Sequence, residues 1–435
     1  MFVKIRAEAS SDVGQRRDHN EDNYLVDDEH GLFIVCDGMG GHAAGEVASA
    51  LAAKTIQEAV RRELGAAEAH DEPLDPWRAA HVVEVLRRAV EAANTAVHRL
   101  GQRDAKARGA GTTCTVLSIR GQRGVLAHVG DSRLYLRRAG QLHQLTMDHS
   151  FVADAMMRGY TLEQALEAFP SNLLMRAVGP LERVQVDTLE FDVLPGDVYL
   201  LCSDGLHGYF DHESTGLAEL LEGEDVAERL VSFANERGGE DNITAVVVRP
   251  EAEDAAGEER LSRVYEDLSA LSAMELFGEL EYPELLEVAS TLRTEELEEG
   301  VTVLSEGEAS KALYIIASGR VSVERSGSRL TTLSSGSHFG EMALLTNRPR
   351  TATVKTLEPT RLLVLDQDAV YPLFQTNPVI GVKFLWRLGQ VQSLRLDEAT
   401  LLLRPPSGEE SGLDFSGERT QRLFPPPFSK RRPEE

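Results

Sequence analysis

Cysteine, long apolar runs and positive charge are all scarce in this chain of 435 residues. Its three cysteines, Cys36, Cys114 and Cys202, each sit inside an apolar, strand-like run. So small and odd a set argues against a disulfide framework and points to a reducing cytoplasm. No apolar stretch approaches the ~18 residues that a membrane-spanning helix needs. The first residues carry no signal-like apolar segment. Lysine and arginine number 45 against 71 aspartates and glutamates, a formal net charge of −26. That balance argues against a nucleic-acid backbone as partner, because phosphates are met by clustered basic side chains. It leaves basic or phosphorylated proteins open as partners. The hydrophobic content, 42%, is enough for two cores, and the length suits two or three domains.

Residues 1–249 alternate strand-like and helix-like patterns. Leu32 to Cys36 reads as a buried strand. Val83, Leu86, Val90, Ala93, Val97 and Leu100 recur at three and four, the stripe of one amphipathic helix. Thr112 to Ile119, Val125 to Val129, Val198 to Cys202 and Ile243 to Val248 are β-branched-rich strands. Hairpin spacings around Gly121 and Gly140 favour antiparallel pairing. The fold class expected is α+β: an α-β-β-α sandwich over 1–249, then an acidic linker over 250–262 that runs into a helix near Glu258. Residues 263–400 read as a small antiparallel β-roll with flanking helices, its strands punctuated by Gly307, Gly319, Gly327 and Gly336. An amphipathic helix closes it over roughly 377–398. The tail, 401–435, has Pro405-Pro406 and Pro425-Pro426-Pro427 and is expected to be disordered.

In the first half, acidic residues fall at strand ends. They are Glu21 and Asp22, Asp37 in Asp37-Gly38-Met39-Gly40-Gly41-His42, Asp131 in Gly130-Asp131-Ser132, Asp204 before Gly205, and Asp241 before Asn242. A strand with an acidic end and a glycine turn delivers a carboxylate to the rim of a sheet. Hard oxygen ligands with room for waters suit magnesium or manganese. Two such ions about 3.5–4 Å apart can hold and activate a water for attack on phosphorus. An isolated Asp-Gly is ordinarily a turn; five acidic stations on apolar strands are not accounted for that way.

On these motifs, residues 6 to 249 resemble the metal-dependent serine/threonine protein phosphatases of the 2C type, in their bacterial form. The resemblance implies Asp37, Asp204 and Asp241 as metal ligands, with Asp37 bridging and Gly38 offering its carbonyl. It implies that Glu21 and Asp22 hold metal-bound waters or a metal edge, and that Asp131 is the ligand of a third, weaker site. Arg17 would grip the substrate phosphate, since a guanidinium fork matches two oxygens. His42 would protonate the departing serine or threonine oxygen; a surface histidine at a helix start is the other reading. Asn242 would orient Asp241. Residues 148–179 correspond to the family's variable flap. Its Met156-Met157-Arg158-Gly159-Tyr160 run either meets substrate protein or only covers the sheet.

The second constellation is Phe339-Gly340-Glu341-Met342-Ala343-Leu344, followed by Arg350-Thr351-Ala352-Thr353. Gly340 frees the backbone where a short helix would begin. The amides of Met342, Ala343 and Leu344 would then face an anion. Arg350, expected on a strand, would add a neutralising fork, and Glu341 suits a ribose hydroxyl. The segment from Leu271 to Leu396 resembles the cyclic-nucleotide-binding domain family. The ligand would be cyclic AMP or cyclic GMP. Thr351 would meet a guanine edge, or it is simply a β-branched strand residue. Trp386, Arg387 and Leu394 are candidates to cap the base, and each is also plausible as packing.

Together the two resemblances imply a cytoplasmic phosphatase acting on phosphoserine and phosphothreonine proteins and regulated by a cyclic nucleotide. Serine/threonine kinases or their targets are natural partners. Two alternatives stand beside that reading: a nucleotide-responsive phosphoprotein adaptor without catalysis, and an active enzyme whose second domain only docks or dimerises.

Overall fold

The computed structural model describes residues 3–402 apart from 41–42, 66–75, 211–214, 253–254, 310 and 342–348. The chain divides into two compact units, Met1–Ser262 and Arg263–Glu435. Among the described residues, no helix is long and apolar enough to cross a membrane.

The first unit opens with strands β1 (Val3–Asp12), β2 (Asn23–Asp27), β3 (Leu32–Cys36) and β4 (Gly38–Met39), then helices α1 (Ala43–Leu64) and α2 (Pro76–Arg103). Strands β5 (Gly111–Thr112), β6 (Cys114–Arg120), β7 (Arg123–Val129), β8 (Arg133–Arg138) and β9 (Gln141–Gln144) follow. Short helices α3 (Phe151–Met157) and α4 (Leu162–Ala168) precede β10 (Asp187–Asp192) and β11 (Val198–Cys202). Helices α5 (Asp204–His207), α6 (Thr215–Leu220) and α7 (Val226–Glu236) lead to β12 (Ile243–Ala252).

Two five-stranded antiparallel sheets result, ordered β1-β12-β11-β8-β9 and β10-β7-β6-β3-β2. Alternation along the strands explains their stacking. In β3, Leu32, Ile34 and Cys36 join the core beneath α1 and α2, while Phe33 and Val35 are buried on the opposite face. In β11, Val198, Leu200 and Cys202 pack with Leu217, Leu230 and Ala234 of α6 and α7, while Tyr199 and Leu201 are buried on the other face. Strand β3 also touches β11 and β12. The order of layers is therefore helices, sheet, sheet, helices, as the sequence leads one to expect. Helix α2 buries Leu86, Val90, Ala93 and Val97, the stripe spaced at three and four. Strand β1 pairs with β12 over its whole length, from Val3 opposite Ala252 to Asp12 opposite Ile243.

The acidic stretch 250–262 is carried largely by regular elements. Strand β12 runs to Ala252, and α8 (Ala255–Ser272) starts three residues before Glu258. The second unit continues with α9 (Tyr282–Ser290), β13 (Arg293–Leu297), β14 (Thr302–Leu304), β15 (Ala312–Ser318), β16 (Arg320–Arg325) and β17 (Ser328–Ser334). Then come β18 (His338–Phe339), β19 (Thr353–Thr356), β20 (Thr360–Asp366), α10 (Gln367–Thr376) and α11 (Pro378–Leu402). Two four-stranded sheets, β13-β20-β15-β18 and β14-β19-β16-β17, form the roll. Strand β15 again splits by parity. Ala312, Tyr314 and Ile316 join the core inside the roll with Val354 and Val364. Leu313 and Ile315 pack against Phe277, Leu285, Ile380 and Phe384 of the flanking helices. The expected disordered tail lies outside the described residues beyond Leu402.

Candidate functional site

The acidic stations of the first unit converge where strands of the two sheets end. Asp22 is buried and accepts from Ser203 Oγ at 2.7 Å. Ser203 is positioned by the Thr244 N–H, which donates to its Oγ at 3.0 Å. Asp37 follows β3; its N–H donates to Thr113 Oγ1 at 2.8 Å, and its carbonyl accepts from the Thr113 N–H at 2.8 Å. Thr113 Oγ1 in turn lies 2.7 Å from Ser132 Oγ, beside Asp131. The His207 ring donates through Nε2 to the Asp131 carbonyl at 2.9 Å. Asp204 opens α5 and Asp241 precedes β12.

Asn242 ties these ends together. Its Oδ1 accepts from the Glu21 N–H at 2.8 Å, and its Nδ2 donates to the carbonyls of Val13 and His19 at 2.9 Å. Its own N–H donates to Asp241 Oδ1 at 2.8 Å. Arg17, with half its side chain exposed, donates through Nη2 to Asp241 Oδ2 at 2.7 Å. Gly38 has no room for a side chain: an added Cβ would stand 2.3 Å from the Gly45 carbonyl oxygen and 2.5 Å from that of Glu21.

The electrostatics are those of a cluster of like charges. Burial, and then the charges of Asp22, Asp204, Asp131 and Asp241, push the Asp37 carboxyl well above the usual range. Burial raises Asp22 to about 7, and burial together with Asp204 raises Asp131 to about 8. Asp204 is raised by burial and by Asp241. Among the described residues, Oδ1 of Asp22 and Oδ1 of Asp204 are buried without a hydrogen-bond partner. Among the described residues, no three His, Cys, Asp or Glu side chains converge closely enough to hold an ion by themselves. Magnesium-type sites do not require that, since the ion keeps several waters and takes one or two carboxylates. Several carboxylates facing one another with unmet oxygens fit a hard dication. His42 lies outside the described residues.

The flap has a small core of its own, Val152, Ala155 and Ala165 with Phe169 packed against it. Met157 and Tyr160 stand exposed on it, whereas Met156 packs inward. Sequence reading gave no role to His149 or His207, and the structure places both against the turn that carries Asp131.

In the second unit Gly340 adopts φ +85°, and a Cβ there would lie 2.6 Å from Arg350 Nη1. Arg350 is buried and donates to the carbonyls of Gly340 at 3.0 Å and Ala312 at 2.7 Å. Burial lowers its pKa. Arg350 was expected on a strand; it precedes β19, held by backbone bonds with Gly307 and Glu308. Thr351 is exposed in the bend before that strand. Glu341 is buried, and its Oε1 accepts from Gln392 Nε2 of α11 at 3.0 Å. Gln392, which the sequence did not single out, is thus an α11 side chain that reaches Glu341. Of the three capping candidates, Arg387 is engaged with Glu275 and Gln390, and Leu394 is half exposed. Trp386 keeps its Nε1 buried and, among the described residues, without a hydrogen-bond partner. Met342, Ala343 and Leu344 lie outside the described residues.

Comparison with known proteins places both halves. The protein phosphatase 2C description matches residues 14–247, and the cyclic nucleotide-binding domain description matches residues 294–377. Protein phosphatase PhpP of Streptococcus pneumoniae is 36% identical over 253 residues, 56% of this chain and 97% of that protein. Serine/threonine phosphatase stp of Listeria monocytogenes is 35% identical over 252 residues, 56% of this chain and 95% of that protein. Among solved structures, the serine/threonine phosphatase PstP/Ppp of Mycobacterium tuberculosis is 35% identical with a TM-score of 0.50, over 58% of this chain and all of that one. Since the phosphatase match spans more than half of the chain and the relatives are covered almost end to end, the chain belongs to the protein phosphatase 2C family: it is a protein serine/threonine phosphatase with a C-terminal cyclic nucleotide-binding domain.

Proposed function

We propose that residues 1–249 hydrolyse phosphoserine and phosphothreonine in proteins with manganese or magnesium, and that residues 263–400 bind cyclic AMP or cyclic GMP and regulate the rate. The observation that carries the metal reading is the group of mutually repelling carboxylates, Asp22, Asp37, Asp131 and Asp204, with one buried oxygen each of Asp22 and Asp204 left unmet among the described residues. Asp37, Asp204 and Asp241 would hold two ions with the Gly38 carbonyl, Glu21 and Asp22 would complete the edge, and Asp131 would serve a third. Bound there, the ions supply Lewis-acid polarisation and an activated water.

The chain's own groups do the rest. Arg17, at the rim, exchanges its bond with Asp241 for the substrate phosphate, because its fork suits two phosphate oxygens. Asn242 fixes Asp241 and the Glu21 backbone in one frame. His42 gives a proton to the leaving serine or threonine oxygen. Three buried free cysteines fit a reducing cytoplasm.

In the second unit, Arg350 would meet the cyclic phosphate with the amides of Met342 to Leu344, and Glu341 the ribose hydroxyl. Thr351, exposed next to Arg350, would distinguish the base. The deciding experiment is phosphate release from a phosphothreonine peptide with manganese, with and without saturating cyclic AMP or cyclic GMP. Metal-dependent release that one nucleotide alters is expected. No release at any metal concentration would refute the catalytic reading. Release indifferent to both nucleotides, with no calorimetric binding of either, would refute the regulatory one.

A further inference from the structure

His149, at the start of the flap, grips the turn that carries Asp131 with two groups at once. Its backbone N–H donates to the Gly130 carbonyl at 2.7 Å, and its ring Nδ1 accepts from the Gly130 N–H at 3.1 Å. The second bond fixes the tautomer, since a backbone N–H can only donate and Nδ1 must present its lone pair. The ring hydrogen is then on Nε2, which donates to Asp187 Oδ2 at 2.9 Å. Arg176 Nη1, 3.1 Å from the same Nε2, gives its hydrogen to Asp187 Oδ1 at 2.7 Å. The ring is 5% exposed and lies against His128, with centroids 4.8 Å apart.

The turn it grips has little freedom elsewhere. Gly130 adopts φ +114°, a region that disfavours side chains, and a Cβ there would meet Thr113 Cβ at 2.6 Å. His149 also reaches the far end of the flap, where its carbonyl accepts from the Met175 N–H at 2.7 Å. Its neighbour Asp148 forms a two-pronged pair with Arg133, just past the turn. One residue therefore joins the base of the flap to the Asp131 corner.

We propose that His149 is a positioning residue for metal binding at Asp131, acting through the Nδ1 bond that fixes the Val129-Gly130 peptide, the hinge on which the Asp131 turn hangs. The proposal rests on the reading of Asp131 as the ligand of a third, weaker metal site. Groups that orient a ligand in this indirect way commonly carry about ten- to a hundredfold in metal affinity.

Two isosteres separate the ring's two nitrogens. In His149→Asn the amide oxygen stands where Nδ1 was and can still accept from Gly130. In His149→Gln the amide stands near Nε2, keeps Asp187 and leaves the Gly130 N–H unmet. The assay is manganese titration of the full chain by calorimetry, with phosphate release from a phosphothreonine peptide followed over the same range. We expect the Gln variant to need about tenfold more manganese for its weakest binding step and for half-maximal rate. The Asn variant should stay within about threefold of the parent. Both variants lose the ring's packing, so a general loss of fold would affect them alike, and thermal melts of both record it. Equal behaviour of the two, whether both intact or both impaired, would overturn the proposal. Failure of the parent chain to bind manganese would instead overturn the metal reading beneath it.

Discussion

Replacing Gln392 by alanine should tighten cyclic nucleotide binding while making the second unit less stable. Gln392 Nε2 donates to the buried Glu341 Oε1 at 3.0 Å, and Glu341 is the group expected to meet the ribose hydroxyl. A ligand that needs that oxygen must first displace the amide. A hydrogen bond to a charged group is worth about 1.5 kcal/mol or more net. If the bond is fully formed before binding, its removal should improve the apparent Kd by roughly tenfold. The same loss should lower the melting temperature of a unit of this size by about 3–6 °C. The opposite signs are what give the test its force, because general damage to the pocket would weaken binding and stability together. Isothermal titration of the full chain with cyclic AMP and cyclic GMP, alongside calorimetric melts, reads both. Unchanged or weakened binding would refute the reasoning, the latter showing that Gln392 contacts the nucleotide rather than competing with it.

Three further outcomes are expected. Asp204→Asn should reduce manganese affinity by at least about a hundredfold, read by calorimetry, and should raise the melting temperature of the metal-free protein by removing one repelling charge. Metal-free stability should fall as pH rises from about 4 to about 8. Asp22 and Asp131 keep their protons in the fold to about 7 and about 8, whereas the unfolded groups lose theirs near 3.8. Melts in a chelator across that window should show the decline, and saturating manganese should remove most of it; a flat metal-free profile would contradict the carboxylate cluster. Gly340→Ala should lower nucleotide affinity, because the new Cβ falls 2.6 Å from Arg350 Nη1 at a φ of +85°. The strain itself costs about 1–3 kcal/mol, and wild-type affinity in that variant would show that Arg350 can move aside.

The layers of the first unit were legible because β3 and β11 are apolar throughout, with helical stripes at the right spacing between such strands. The acidic stations were legible because each sits at a strand end beside a glycine or an amide. What the sequence could not convey is how those stations are held. Ser203 reaches Asp22 across 181 positions, and Asn242 reaches the Glu21 N–H across 221. Such bonds exist only once the sheets have stacked, so no local pattern announces them. His149 falls within the flap range, yet nothing in its neighbours says which ring nitrogen faces Gly130. Gln392 is one polar residue on a long helix, and its meeting with Glu341 depends on how that helix packs on the roll. Arg350 was placed on a strand by its β-branched followers, but its side chain is committed to carbonyls before the strand begins.

The pairing of β1 with β12 has a consequence for the order in which the protein is made. Ser11 and Thr244, partners in that ladder, are 233 positions apart, and Arg17 and Asp241 are 224 apart. At a synthesis rate of about 5–20 residues per second, β1 waits on the order of ten to fifty seconds for its neighbour to emerge from the ribosome. During that interval its ladder of donors and acceptors has no native partner, and the rim bearing Arg17 and Glu21 has nothing to close against. The cluster of acidic stations is thus completed late in the birth of its unit, and a nascent chain arrested before β12 would carry most of those carboxylates without the strand that frames them.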